Sequence, residues 1–425
     1  MDARDLPTGS RVALLVPGSV SYAELVLALL RRAVFPIPMD VKLTPSERDE
    51  LLAYLDPALV IDSQPQLESL LASLADDHPT GPPLGRPIHL TSGTTGRPKG
   101  VSSGLLEPHE AEALVAEERE LWGFRAGDVN LVLSPMHHSA PLRFATGTLL
   151  SGGRLVVPGA FDPVRVTDAI REERPTSMFC VPAHLQRLFT HWEDHGTPDL
   201  SCFRLVAHAG APCPEWVKRR LIDVFPAGST WEFYGSTEGQ FTACRSEEWL
   251  ERPGTLGRAR PGRTLTVDDE GHLWCAVPPH ARFSYLDDPE KTEAAWRDTE
   301  AGPAFTVGDL GRIDADGYVF LDGRREDLII SGGVNVYPAE VERVLGEVPG
   351  VEDIAVFGVE DDQWGQRVCA AVVGAVDVDA LRSHAREHLA PAKRPKEFHR
   401  LDTLPRTPTG KVRRLDLPDL LDGVH

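Results

Sequence analysis

Short apolar runs alternate with amphipathic stretches through the first half of the chain. Arg11–Val16 is an apolar run of strand length closed by Pro17-Gly18. Ser21 then stands where a helix cap would, ahead of Leu25, Leu29 and Leu30 on one helical face. Val34–Ile37 reads as a second strand, Thr44-Pro45-Ser46-Glu47 as a capping box with proline in the first turn, and Leu59–Ile61 as a third strand. This βαβαβ order predicts a parallel sheet covered by helices. The alternation resumes at Asn130–Leu133, Leu155–Val157, Ser177–Val181, Phe203–Ala207 and Thr230–Phe233, after a Pro/Gly/Asp-rich loop at 76–87. From 254 to 322 the segments shorten and turns multiply, which predicts a small β-rich subdomain. Beyond Asp327 come Leu328–Ile330, a helix from Pro338 with Val341, Val344 and Leu345 on one face, strands at Ile354–Val359 and Val368–Val373, a helix near Asp379–Leu389 and a basic tail. The expected class is α/β. A large N-terminal domain (1–326) of helix-covered, mostly parallel sheets carries the β-rich subdomain, and a small mobile α+β domain (327–425) follows.

Composition narrows the function. The 425 residues are 41% hydrophobic and 25% charged, as in an ordinary globular protein long enough for more than one core. A formal net charge of −20 argues against binding nucleic acid or anionic membranes through the overall field. No apolar run approaches the ~20 residues that span a bilayer. No basic-then-apolar leader opens the chain, so a cytoplasmic location is expected. The cysteines Cys180, Cys202, Cys213, Cys244, Cys275 and Cys369 form no CxxC pair and read as reduced thiols rather than a zinc site.

The densest chemistry lies in Thr91-Ser-Gly-Thr-Thr-Gly-Arg-Pro-Lys-Gly100. Gly93 and Gly96 let backbone N–H groups close on an anion, Thr91, Ser92, Thr94 and Thr95 add hydroxyl donors, and Lys99 adds a compact charge. Cations here are nearly always arginine, so a lysine in such a loop stands out. The spacing is not that of a Walker A loop, and an ATP user with a different phosphate grip is expected.

Four segments stand in order: Thr91–Gly100; Trp231–Glu238; Val307-Gly308-Asp309 with Gly323-Arg324; and Pro405-Arg-Thr-Pro-Thr-Gly-Lys411. Together they resemble the acyl-adenylate-forming superfamily, most closely its acyl-CoA synthetases. The resemblance implies ATP and Mg²⁺ as cofactors, with Ser92, Thr94, Thr95, Gly96 and Lys99, within the Thr91–Lys99 loop that includes Gly93, on the β- and γ-phosphates. It implies Tyr234 against adenine within the Glu232–Gly235 segment, Thr237 on the α-phosphate and Glu238 on the metal. Asp309 would take the ribose hydroxyls, with Arg324 nearby. Lys411 would reach the site from the small domain, across a hinge at Glu326. Lys411, Glu238 and Thr94 are the implied catalytic residues. Such chemistry needs alignment and charge neutralisation more than covalent help.

The same resemblance places His137, His138, His208, Gly210, Ala211 and Pro212 around the acid. No acidic residue lies between Ser134 and Leu150 to pair a substrate ammonium, so an uncharged aryl, alicyclic or medium-chain aliphatic acid is expected. Gly332 and Gly333 in Ser331–Pro338 would let a pantetheine arm pass, which implies CoA as acceptor. The alternatives are a carrier-protein thiol, or activation of a small oxyanion such as nitrite for trapping by an aryl amine. A homodimer is left open. The chain departs from the family at Glu326, where Asp or Lys is usual, and at Val307, where threonine is usual. A leading segment and part of 254–305 are expected to be missing.

Overall fold

A computed structural model describes residues 6–74, 81–91, 99–324, 327–331, 334–361, 365–389, 391–406 and 411–422. They fall into two compact units. The larger comprises residues up to 265 together with 275–305; the smaller comprises 266–274 and everything from 306 onward. The division thus lies upstream of the 326/327 boundary expected from sequence. The ladder Asp309–Ile313 with Val319–Arg324 belongs to the smaller unit, where it packs against the helix Pro338–Leu345.

In the larger unit, the strands Phe35–Pro38, Arg11–Leu14 and Leu59–Ile61 form a parallel sheet in that order. Phe35–Pro38 is an edge strand, the place where Pro36 and Pro38 cost no central ladder bond. The helix Val20–Arg31 covers this sheet with Leu25, Val26 and Leu29, all fully buried. Its cap is Ser19 rather than Ser21: the Ser19 hydroxyl accepts from the Tyr22 N–H at 3.1 Å. The helix Pro45–Leu55 starts on the expected capping box. The Thr44 N–H donates to Glu47 at 2.8 Å, and the Glu47 N–H donates back to the Thr44 hydroxyl at 3.3 Å.

A second, seven-stranded sheet runs in the order Arg258–Ala259, Thr242–Arg245, Thr230–Glu232, Leu205–His208, Ser177–Cys180, Val129–Val132, Arg154–Val156. Its members from Thr230–Glu232 to Arg154–Val156 are parallel, and the other two are antiparallel additions at one edge. Met178, Val206, Leu185 and Leu188 are fully buried between this sheet and its helices. Each such side chain contributes roughly 1.5–3 kcal/mol.

The smaller unit centres on an antiparallel sheet of Val334–Val336, Ile329–Ser331, Gly365–Val373 and Asp353–Asp361, to which Glu397–Arg400 adds in parallel. The helices Pro338–Leu345 and Val378–His388 bury Val341, Leu345, Leu381 and Ala385 in its core. The six cysteines are free thiols, and burial raises the pKa of every one. Among the described residues no helix is long and apolar enough to cross a membrane.

Candidate functional site

The phosphate loop springs from an antiparallel stem. His89–Leu90 pairs with Gly100–Ser102, and Thr91 and Lys99 close its base through Thr91 N–H to Lys99 O at 2.9 Å and Lys99 N–H to Thr91 Oγ1 at 3.3 Å. Ser92, Gly93, Thr94, Thr95 and Gly96 lie outside the described residues. The Lys99 ammonium pairs with Asp288, whose carboxylate also caps the helix Pro289–Ala295.

The strand Thr230–Glu232 leads into the turn that holds the next candidates. Gly235 bridges Gln240, and the Ser236 N–H donates to Gly239 O at 2.8 Å, which leaves Thr237 and Glu238 at the tip. Both glycines are required by space. A Cβ at Gly235 would meet Gly239 O at 2.8 Å, and one at Gly239 would meet Phe305 Cζ at 2.8 Å. Tyr234 stacks on Phe241 with ring centroids 4.8 Å apart. Glu238 is buried, and the Tyr285 hydroxyl donates to its Oε1 at 2.8 Å. This arrangement fits a magnesium ligand: a single carboxylate, oriented by a phenol from the strand Ser284–Tyr285, which pairs with the stem strand Gly100–Ser102.

Glu232, expected near the nucleotide, has its side chain in a buried cluster. Lys218 Nζ lies 3.2 Å from Glu232 Oε2 and 2.9 Å from His208 Nε2, and Lys218 and His208 are fully buried. Burial and then the Lys218 charge push the His208 pKa well below its usual value, so its ring is neutral. His208 is thus a buried partner of Lys218. Gly210 follows with φ of +92°, a conformation that suits glycine, and Gly210 and Pro212 are exposed with Ala211 half-buried. His137 and His138 precede the helix Ser139–Leu150, with rings 4.0 Å apart; His137 Nε2 is 3.9 Å from Asp40. The His137 pKa is lowered by burial, against the pull of Asp40.

A cavity of about 150 Å³ lies within the larger unit, reached by Ser236 and Thr237 and by the helix Ser139–Leu150. The six expected acid-contact residues do not line it. Instead, its polar wall is made by Arg86, Arg143, Arg260 and Glu118, which sequence reasoning missed. One signal was available: Arg143 interrupts an otherwise uncharged helix, Ser139–Leu150. Arg260 and Arg263 sit in the turn-rich stretch, where no periodicity marks them.

In the smaller unit, Asp309 is buried and stands opposite Arg324 in the antiparallel ladder, so the two ribose candidates are cross-strand neighbours. Gly308, with φ of +78°, makes the turn into that strand. Lys411 is exposed beside the bridge between Arg406 and Val412. Glu326, Gly332 and Gly333 lie outside the described residues.

A family model described as "AMP-binding enzyme" matches residues 87–279, and one described as "AMP-binding enzyme C-terminal domain" matches 340–411. An indoleacetate–CoA ligase of Aromatoleum aromaticum is 35% identical over 87% of this chain and 75% of its own length. This chain belongs to the AMP-binding enzyme family. Another relative in that family, a feruloyl-CoA synthase of Amycolatopsis, is 33% identical over 95% of this chain and 87% of its own. The solved structure of ATP-bound MatB from Rhodopseudomonas palustris superposes with a TM-score of 0.82, at 28% identity, covering 99% of this chain and 90% of that one. AMP-binding enzymes thus account for both the parallel sheets and the separate C-terminal unit.

Proposed function

We propose that this AMP-binding enzyme is an acid–CoA ligase: it activates a carboxylic acid as acyl-AMP and passes the acyl group to the thiol of CoA. The observation that carries this reading is the turn Ser236–Gly239: Thr237 borders a cavity large enough for an organic acid, and the next residue, Glu238, is a buried carboxylate held by the Tyr285 phenol. The relatives named as CoA ligases support the same assignment.

In the first step a carboxylate oxygen attacks the α-phosphorus of ATP and pyrophosphate leaves. Thr237 is the proposed donor to the α-phosphate, and Lys99 with the hydroxyls of Ser92, Thr94 and Thr95 holds the departing phosphates. Mg²⁺ held by Glu238 would supply charge neutralisation at those oxygens. Asp309 and Arg324 orient the ribose, and Lys411 stabilises the charge that builds on the α-phosphate. In the second step the CoA thiolate attacks the acyl carbon and AMP leaves. Gly332 and Gly333 are the proposed contacts of its pantetheine arm, and Glu326 is the proposed hinge.

Acid-dependent exchange of labelled pyrophosphate into ATP tests the first half, and thioester formation with CoA tests the second. Exchange that proceeds while CoA yields no thioester, with a carrier-protein thiol or an amine accepting instead, would overturn the assignment of the acceptor. No exchange with any acid across a broad panel would overturn the whole reading.

A further inference from the structure

The cavity beside Thr237 carries more positive charge than its own carboxylates neutralise. Arg260 and Arg263 are almost completely buried, with side-chain exposures of 4% and 5%. They share two glutamates. Arg260 Nη1 donates to Glu118 at 2.8 Å, Arg263 Nη2 donates to Glu117 at 3.0 Å, and His280 also meets Glu117 at 2.7 Å. Two further guanidiniums have no carboxylate of their own among the described residues. There, Arg86 donates to two carbonyls, those of Glu238 at 3.4 Å and Arg282 at 3.1 Å. Arg143 shares Glu118 with Arg260: its Nε lies 3.4 Å from Glu118 Oε2 without hydrogen-bond geometry, and its guanidinium sits over the Phe233 ring, 5.2 Å from the centroid. Burial, followed by repulsion from Arg263 and Arg143, pushes the Arg86 pKa down to about 10.

Buried charge without a partner is costly, and a chain gains nothing by keeping it unless a ligand of opposite sign completes the set. Guanidinium is the side chain best suited to grip a planar oxyanion. The wall also carries apolar side chains, among them Leu27, Leu30, Phe124 and Leu142. A cavity of about 150 Å³ takes a benzene-sized group.

We propose that the acid activated by this enzyme carries a second anionic group, a carboxylate or comparable oxyanion, held by Arg143 and Arg86 beside a ring-sized apolar body. This rests on the acid–CoA ligase reading and replaces the uncharged acid expected from sequence. Arg143 is the main determinant, because roughly a quarter of its side chain (24%) remains accessible.

The test uses matched acid pairs, each an aryl or alicyclic monoacid and the same acid with a distal carboxylate, in pyrophosphate exchange. The wild-type enzyme should favour the diacid of at least one pair by roughly 30-fold or more in kcat/KM, the size expected for a desolvated charge pair. Arg143→Gln should collapse that ratio at least tenfold, and Arg143→Lys should restore part of it. Titration calorimetry of the diacid without ATP gives a readout free of catalysis: binding to wild type and its loss in Arg143→Gln are expected. Three results would overturn the proposal. Monoacids could support exchange as well as or better than every diacid, in which case the ligase reading stands alone. Arg143→Gln could slow both members of a pair equally, which would place the guanidinium on the reacting carboxylate. No acid of either kind could support exchange, in which case the parent reading fails as well.

Discussion

Replacing Lys218 by methionine isolates the largest electrostatic commitment in the core beneath the Tyr234–Gln240 turn. The lysine is fully buried, and its Nζ lies 3.2 Å from Glu232 Oε2. At an effective dielectric constant of about 20, two unit charges at that separation attract by about 5 kcal/mol. Both groups have surrendered hydration, so the net worth of the pair is smaller. Removing one partner alone strands the other, which typically costs about 3–5 kcal/mol. For a unit of this size each kcal/mol shifts Tm by roughly 2–4 °C, so Lys218→Met should melt roughly 6–20 °C lower. The double variant Lys218→Met with Glu232→Gln removes both charges and should be at least 2 kcal/mol more stable than the sum of the single penalties, the mark of direct coupling. Urea unfolding followed by circular dichroism on the wild type, both single variants and the double variant completes the cycle. A single-variant loss under 1 kcal/mol, or penalties that merely add, would refute the argument that this pair is buried and coupled.

Other consequences are as direct. Lys411→Ala should depress acid-dependent pyrophosphate exchange by roughly 100-fold or more while leaving the Tm unchanged, because the side chain is exposed; normal exchange would remove it from the reaction. Gly235→Ala must push its Cβ against backbone at 2.8 Å, so the turn opens, Thr237 and Glu238 shift, and exchange should fall far more than the 1–3 kcal/mol typical of overpacking alone would suggest from a melting curve. His89 is buried with its Nδ1 3.2 Å from His137 O, and burial holds its pKa near 4 against about 6.5 in the unfolded chain. The unfolded chain therefore takes up the proton first. Stability from this group is intact above about pH 7, falls as pH drops through 6.5, and is lower by about 2 kcal/mol at pH 5. Chemical denaturation at pH 7.5 and pH 5 should show a smaller difference in His89→Gln than in wild type.

Much of the architecture was legible because its signals are local. The capping box at Thr44–Glu47, the proline-bearing edge strand and the apolar runs Ser177–Cys180 and Leu205–His208 declare themselves within a few residues. The segments that carry Thr237, Glu238 and Asp309 stand out for the same reason, and the roles given to these residues are proposals. What escaped depends on distance along the chain. Arg260 meets Glu118 across 142 positions, and His280 meets Glu117 across 163. Nothing near either residue distinguishes it from a solvated surface charge. The burial of His208 was hidden for the same cause: it follows from Lys218 on the next helix turning inward, which charge alone argues against. The packing of the ladder after Gly308 against the helix Pro338–Leu345 is likewise a long-range contact that the change in composition near Asp327 does not announce.

The raised thiol pKa values have a practical consequence. A thiolate, not a thiol, attacks maleimides and iodoacetamides, and each of the native cysteines is held protonated at neutral pH by its surroundings. A fluorophore directed to one added surface cysteine on each unit would therefore meet little competition from the native chain. Energy transfer between two such dyes would show whether the distance between the units changes when ATP and CoA are added.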